Sequence, residues 1–161
     1  MHADFRPLRQ PPSRNSCLPT VVRAVLHWHG VQASPDEVSE WCQEESKGCL
    51  LDLAIDGLRE AGFEVEELTA PTEAEMISLL REAVTSEDDY QPVIVTLQNP
   101  ALGTTLDHAV VVIHIGQGQD LDISNTVEYM DPLTGEIEKD STGMFWSYWY
   151  YAGQRAFILR P

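Results

Sequence analysis

The sequence predicts an α+β fold, with an N-terminal helical half packed on a C-terminal antiparallel β-sheet. Three observations carry that expectation. The chain has 161 residues, the length of one domain with a core of its own. Up to residue 85 apolar side chains recur at helical spacing; beyond it they gather in short β-branched runs separated by Gly, Asp and Asn. Helices first and strands second is the order of an α+β domain. A single domain over 1–161 is expected, with an extended lead-in at 1–16, a mainly helical part at 17–85 and a mainly β part at 86–161.

In the lead-in, Pro7, Pro11 and Pro12 forbid a regular helix. From Cys17 onward, Leu18, Val21, Val22, Val25 and Leu26 follow a helical period. Pro19 suits a first turn and Gly30 a C-terminal stop. Ser34-Pro35-Asp36-Glu37 spells a capping box that opens a helix with Val38 and Trp41 facing inward. Residues 50–61 form a third helix with Leu51, Ile55 and Leu58 on one face, ended by Gly62. Residues 63–68 alternate apolar with acidic side chains and read as a half-buried strand. Thr72 with Glu75 gives a second capping box, opening a helix over Met76, Leu79 and Leu80 that ends near Thr85.

The β half then reads as strands at 92–97, 109–115, 126–130 and 155–159. Asp131-Pro132-Leu133-Thr134-Gly135 makes a turn between 127–130 and 136–138. Residues 144–151 hold three tyrosines and two tryptophans and fit a short helix or a strand. Such aromatics either line a peptide groove or fill a core with their polar tips outward.

Composition excludes several functions. Apolar residues at 43% and charged residues at 22% are ordinary globular values, so a disordered or fibrous chain is not expected. The net charge is −16, and residues 36–89 hold 17 acids against three bases. So acidic a surface repels phosphate backbones, which argues against nucleic acid, and its field favours a basic partner or peptide. No apolar run approaches the roughly 18 to 20 residues that cross a bilayer. Residues 1–12 lack the hydrophobic core of a secretory signal, so a cytoplasmic location is the default.

Cys17 is the candidate nucleophile. A thiol reacts as its thiolate, and the free N–H groups at a helix N-terminus favour the anion. The same position also suits a cysteine that only packs. Among five histidines, His2 lies at the terminus, and His27 and His29 sit about three turns from Cys17 on the same helix. His108 starts an apolar strand, where it can project into a cleft or simply mark a strand edge. His114 follows six residues later and is expected on the same face at the far end. If strands 110–115 and 125–130 run antiparallel, His108 and Asp131 meet. Asp131 can then orient the imidazole, or it can merely make the Asp-Pro turn. An acyl-transfer site also needs oxyanion donors, which the Cys17 N–H and the Gln10 side-chain amide can supply.

The order Gln10, then Asn15-Ser16-Cys17-Leu18-Pro19, then His108-Ala109-Val110-Val111-Val112, then Asp131-Pro132-Leu133-Thr134-Gly135 resembles the papain-like, bacteriocin-leader-processing peptidases, family thirty-nine of the cysteine peptidases. Gly48-Cys49-Leu50-Leu51-Asp52-Leu53, Gly62-Phe63-Glu64-Val65 and Pro92-Val93-Ile94-Val95 resemble segments between those motifs. The resemblance implies a papain-like fold with Cys17 as nucleophile, His108 as general base and acid, Asp131 as its orienter and Gln10 as oxyanion donor. Two departures stand out: Leu18 replaces the family's glycine and is expected to crowd the substrate's approach to the thiol, and Gln10 lies seven residues before the cysteine instead of six. Asn15 is the substitute donor. The better-known members of the family it resembles remove double-glycine leaders as part of an ABC exporter; this chain has no membrane span or nucleotide-binding motif, so that substrate is not carried over. A peptide or protein substrate and a thioester intermediate are expected. The alternatives are a thiol-dependent acyltransferase or amidase, or a non-catalytic peptide-binding module.

No metal and no cofactor are expected. On a helix the rings of His27 and His29 point about 200° apart, and Cys42 and Cys49 lack a second pair of the kind zinc wants. An odd count of three cysteines is too few for a disulfide scaffold. Cys42 and Cys49 are expected to be buried thiols, or a disulfide in an oxidising setting.

Overall fold

The computed structural model describes residues 5–11, 16–45, 49–98, 107–116 and 125–161. The elements are α1 (Cys17–Trp28), α2 (Pro35–Trp41), α3 (Leu51–Glu60), β1 (Glu64–Leu68), α4 (Glu73–Thr85), β2 (Val93–Leu97), β3 (His108–Gly116), β4 (Thr126–Asp131), β5 (Glu136–Ser141), α5 (Thr142–Tyr151) and β6 (Ala156–Arg160). The six strands form one antiparallel sheet in the order β1-β6-β2-β3-β4-β5. The α+β character matches the sequence expectation.

Helices cover both faces of this sheet. Val21, Val22, Val25 and Leu26 of α1, Val38 of α2, and Ile55 and Leu58 of α3 pack on Ile94, Ala109, Val111, Phe157 and Leu159. Met76, Leu80 and Val84 of α4, with Phe145 and Trp149 of α5, pack on the alternate strand residues Val93, Val95, Val110, Val112 and Ile158. A strand points successive side chains to opposite faces, so β2 and β3, apolar at nearly every position, need a helical layer on each side. Every residue of β2 is buried. Each large side chain fully removed from water there contributes roughly 1.5–3 kcal/mol.

Local chemistry explains most boundaries. Ser34 and Glu37 complete the capping box at α2. At α4 only the Thr72 half forms, its hydroxyl accepting the Glu75 N–H at 3.2 Å. Residues 144–151 lie in α5 because Ser141 caps it, accepting the Met144 N–H. Within α5, Phe145 and Trp149 are buried while Tyr150 and Tyr151 are exposed. The Trp149 indole N–H donates to the Arg155 carbonyl at 2.8 Å, which satisfies its polar atom inside the core.

One strand departs from simple alternation. The β3–β4 register shifts between Val112 and His114, a bulge that places Ile113 in the α1 layer and Ile115 in the α4–α5 layer. Counting even steps from His108 to His114 therefore no longer fixes the face of His114. Its Nε2 lies 3.9 Å from Glu128 Oε2, at the end of β3 away from His108.

Candidate active site

The site forms where the N-terminus of α1 meets the start of β3 and the end of β4. Cys17 is the first residue of α1 and half-buried. The next turns of that helix, Val21, Val22 and Val25, are wholly buried, so the sulfur is carried on a fixed element. Leu18 is only 5% exposed and packs into the core. The Leu18 side chain turns inward with the apolar face of its helix, away from the surface by which a substrate would approach the thiol.

His108 opens β3, ahead of five consecutive fully or nearly fully buried residues that hold its backbone. Asp131 closes β4. The His108 Nε2 and Asp131 Oδ1 are 2.6 Å apart. In the register Val111 faces Met130, so one step further Asp131 falls opposite Val110. His108 and Asp131 are thus diagonal neighbours across the two strands, a separation that long side chains span. The same carboxylate oxygen accepts the Leu133 N–H at 2.9 Å. An aspartate that bonds the amide two residues on makes an Asx turn, so Asp131 builds the turn and meets the imidazole at once.

With Nε2 given to Asp131, Nδ1 is the ring nitrogen left for Cys17. Burial pushes the Cys17 thiol up. The hydrogen bond to His108, the Ala109 N–H, the His108 charge and the Leu18 N–H outweigh it, and the thiol lies below its ordinary value. Burial pulls His108 down, but hydrogen bonds to Asp131 and Cys17 and the charges of both raise it to about 9. Asp131 is pushed up by burial and brought down further by its bond to His108, the His108 charge and the Leu133 N–H. All three shifts run toward the charged forms, with Cys17 and Asp131 lowered and His108 raised.

Gln10 is buried, and its backbone N–H donates to the Pro132 carbonyl at 2.7 Å. The lead-in thus runs beside the turn that carries Asp131. Asn15 lies outside the described residues, as does His2. The other histidines stay apart from Cys17: His27 Nε2 is 3.4 Å from the Ala33 carbonyl and His29 Nε2 is 3.0 Å from the Leu159 carbonyl. Cys42 and Cys49 are free thiols. Burial, then neighbouring charge, pushes Cys42 up strongly and Cys49 to about 12. Among the described residues no group of three His, Cys, Asp or Glu could hold a metal ion, and no helix is long and apolar enough to cross a membrane.

The residue reading did not foresee the Ala109 and Leu18 amides at the sulfur. They are backbone groups, and residue type carries no signal for them.

The model of the Peptidase_C39 like family matches residues 2–157. The chain belongs to this family. Membership points to a peptidase, a hydrolase of peptide bonds. The fold is similar to the peptidase domain of Streptococcus ComA, a bi-functional ABC transporter involved in a quorum sensing pathway, with TM-score 0.71 and 22% identity over 98% of both chains. It is also similar to a double glycine motif protease from an AMS/PCAT transporter in complex with the leader peptide, with TM-score 0.66 and 16% identity over 99% of this chain and 96% of that one. The peptidase domain of Streptococcus mutans ComA matches with TM-score 0.61 and 18% identity, covering 98% of this chain and 100% of that one. No curated protein matches the chain.

Proposed function

We propose that this chain is a cysteine peptidase in which Cys17, His108 and Asp131 act together. The observation that carries the reading is the 2.6 Å contact of His108 Nε2 with Asp131, while the other side of the ring serves Cys17. A carboxylate that fixes the imidazole and favours its cation keeps the thiol ionised near neutral pH.

In the proposed cycle the Cys17 thiolate attacks the carbonyl carbon of the scissile peptide bond. The developing oxyanion is met by the Cys17 N–H and the Gln10 side-chain amide. The His108 imidazolium protonates the leaving amine as the C–N bond breaks, which leaves a thioester on Cys17. His108, now neutral, takes a proton from water; the hydroxide adds to the thioester, and the acid leaves as the thiolate is restored. The relative bound to its leader peptide supports a peptide with a double-glycine motif as the first substrate to offer.

Iodoacetamide labelling near pH 7, read by mass spectrometry of the three cysteines, tests the proposal. Cys17 is expected to label much faster than Cys42 and Cys49, and His108→Ala to slow it. Cys17→Ala is expected to abolish peptide cleavage with the fold intact. Equal, slow labelling of all three thiols, or cleavage by Cys17→Ala at the parental rate, overturns it.

A further inference from the structure

The turn after β4 is bonded at nearly every step. The Leu133 N–H donates to Asp131 Oδ1 at 2.9 Å, the Gly135 N–H to the Asp131 carbonyl at 2.8 Å, and the Pro132 carbonyl accepts the Gln10 N–H at 2.7 Å. The Thr134 hydroxyl lies 3.4 Å from the same Asp131 carbonyl. On this fixed turn Leu133 is 58% exposed. The apolar residues next in the chain to Cys17, His108 and Asp131 behave otherwise: Leu18, Ala109, Met130 and Pro132 are all buried.

Single exposed leucines are ordinary on a protein surface. What sets this one apart is its place. Asp131 Oδ1 meets both the Leu133 N–H and, at 2.6 Å, His108 Nε2, so the leucine's backbone stands two hydrogen bonds from the imidazole. In the cycle proposed above, the acyl part of the substrate stays on Cys17 and the leaving amine takes its proton from His108. The departing segment is thus the one that lies on the His108 side, and the surface beyond His108 and Asp131 is the turn carrying Leu133. An extended chain advances about 3.3–3.6 Å per residue, so the first or second residue after the cut reaches that turn. An apolar side chain on a turn already fixed by its own bonds gains contact there without the cost of ordering a loop.

We propose that Leu133 is a specificity-determining residue on the leaving-group side of the site, selecting peptides with an apolar side chain in the first two positions after the cleaved bond. This deepens the peptidase reading and rests on it. Leu133 has no part in the chemical step. Its side chain touches the departing segment, while its backbone N–H, which every substitution but proline keeps, holds the Asp131 carboxylate.

The test offers the full chain a library of peptides released from a cell extract by a glutamate-specific protease. Mass spectrometry of the new termini reports the residues after each cut without fixing those before it. The parent is expected to favour Leu, Ile, Val, Met or Phe over Gly or Ser in one of those two positions by about tenfold, the scale on which apolar contacts discriminate. In Leu133→Ala that preference largely disappears, and in Leu133→Glu it gives way to Lys or Arg, which the introduced charge attracts. The readout is a ratio between bonds cut in one mixture, so it holds for a variant that folds less well. A leucine that only braces the turn lowers all cuts alike. An unmoved ratio in both variants therefore overturns the proposal, as does a parent with no apolar preference after the cut. A library left whole by the parent instead sinks the peptidase reading beneath it.

Discussion

Gln10 donates its backbone N–H to the Pro132 carbonyl at 2.7 Å, one residue past the aspartate that meets His108. The Leu8 N–H reaches the Met130 sulfur at 3.2 Å, and a Cβ at Gly135, which lies at φ +70, would come within 2.8 Å of the Arg9 Cβ. The lead-in and the turn after β4 are therefore packed as one unit. Whatever places Asp131 also places the Gln10 side chain.

Gln10→Ala separates the two contributions. The substitution keeps the backbone bond to Pro132, so the fold and the alkylation rate of Cys17 are expected to hold. Loss of an oxyanion donor lowers kcat by about a hundredfold or more, with a smaller change in KM. A parental kcat in Gln10→Ala would remove this residue from the oxyanion site.

The opposite shifts of Cys17 and His108 set a pH window. As pH rises, kcat/KM is expected to climb through the depressed Cys17 value and to fall again near pH 9, where His108 loses its proton. The same groups link stability to pH. The raised His108 stabilises the fold fully below its ordinary 6.5, and this is lost as pH rises through about 9. The lowered Cys17 and Asp131 stabilise above their ordinary values, and that is lost as pH falls through the depressed ones. Parallel pH series of kcat/KM and Tm check both. An alkaline limb that survives in His108→Ala would belong to another group.

Asp131→Asn removes the charge while keeping an oxygen for the Leu133 N–H, so the turn is expected to form. Without the carboxylate the His108 cation loses its largest favourable partner. The alkaline limb is expected to move down from about 9, and kcat to fall about a thousandfold. Unchanged circular dichroism with an unmoved limb would mean that Asp131 serves the turn alone.

Much of this was legible in the chain, for physical reasons that vary by element. α1 and α3 follow from their apolar period, and α2 from Ser34 and Glu37, since both signals are local. The meeting of His108 with Asp131 follows from counting along one antiparallel pair. The count needed correction, because the apolar run from Val110 to Ile113 hides the bulge that shifts the register. The diagonal reach of the two side chains absorbed the error. The pairing of β1 with β6 joins residues 64–68 to 156–160, and nothing local encodes so distant a match. α5 was ambiguous because its aromatics suit strand and helix alike, although Ser141 before it is a capping signal. The convergence of Cys17 on His108, 91 positions apart, comes from α1 packing on β3; its hint in the sequence was the order of motifs.

The last prediction concerns the brace behind the site. Gly57 of α3 lies against α2, where an ideal Cβ would come within 1.9 Å of the Trp41 carbonyl oxygen and 3.0 Å of its carbon. Replacing an exposed helical glycine by alanine ordinarily stabilises by about 0.5–1 kcal/mol, because the unfolded chain loses freedom. At Gly57 the sign reverses. The obstacle is backbone, which cannot swing aside as a side chain would, so α2 and α3 must separate. Overpacking of this kind costs about 1–3 kcal/mol. The urea midpoint of Gly57→Ala is expected to fall with an unchanged slope. A midpoint at or above the parental one would mean that α2 and α3 do not meet at this residue.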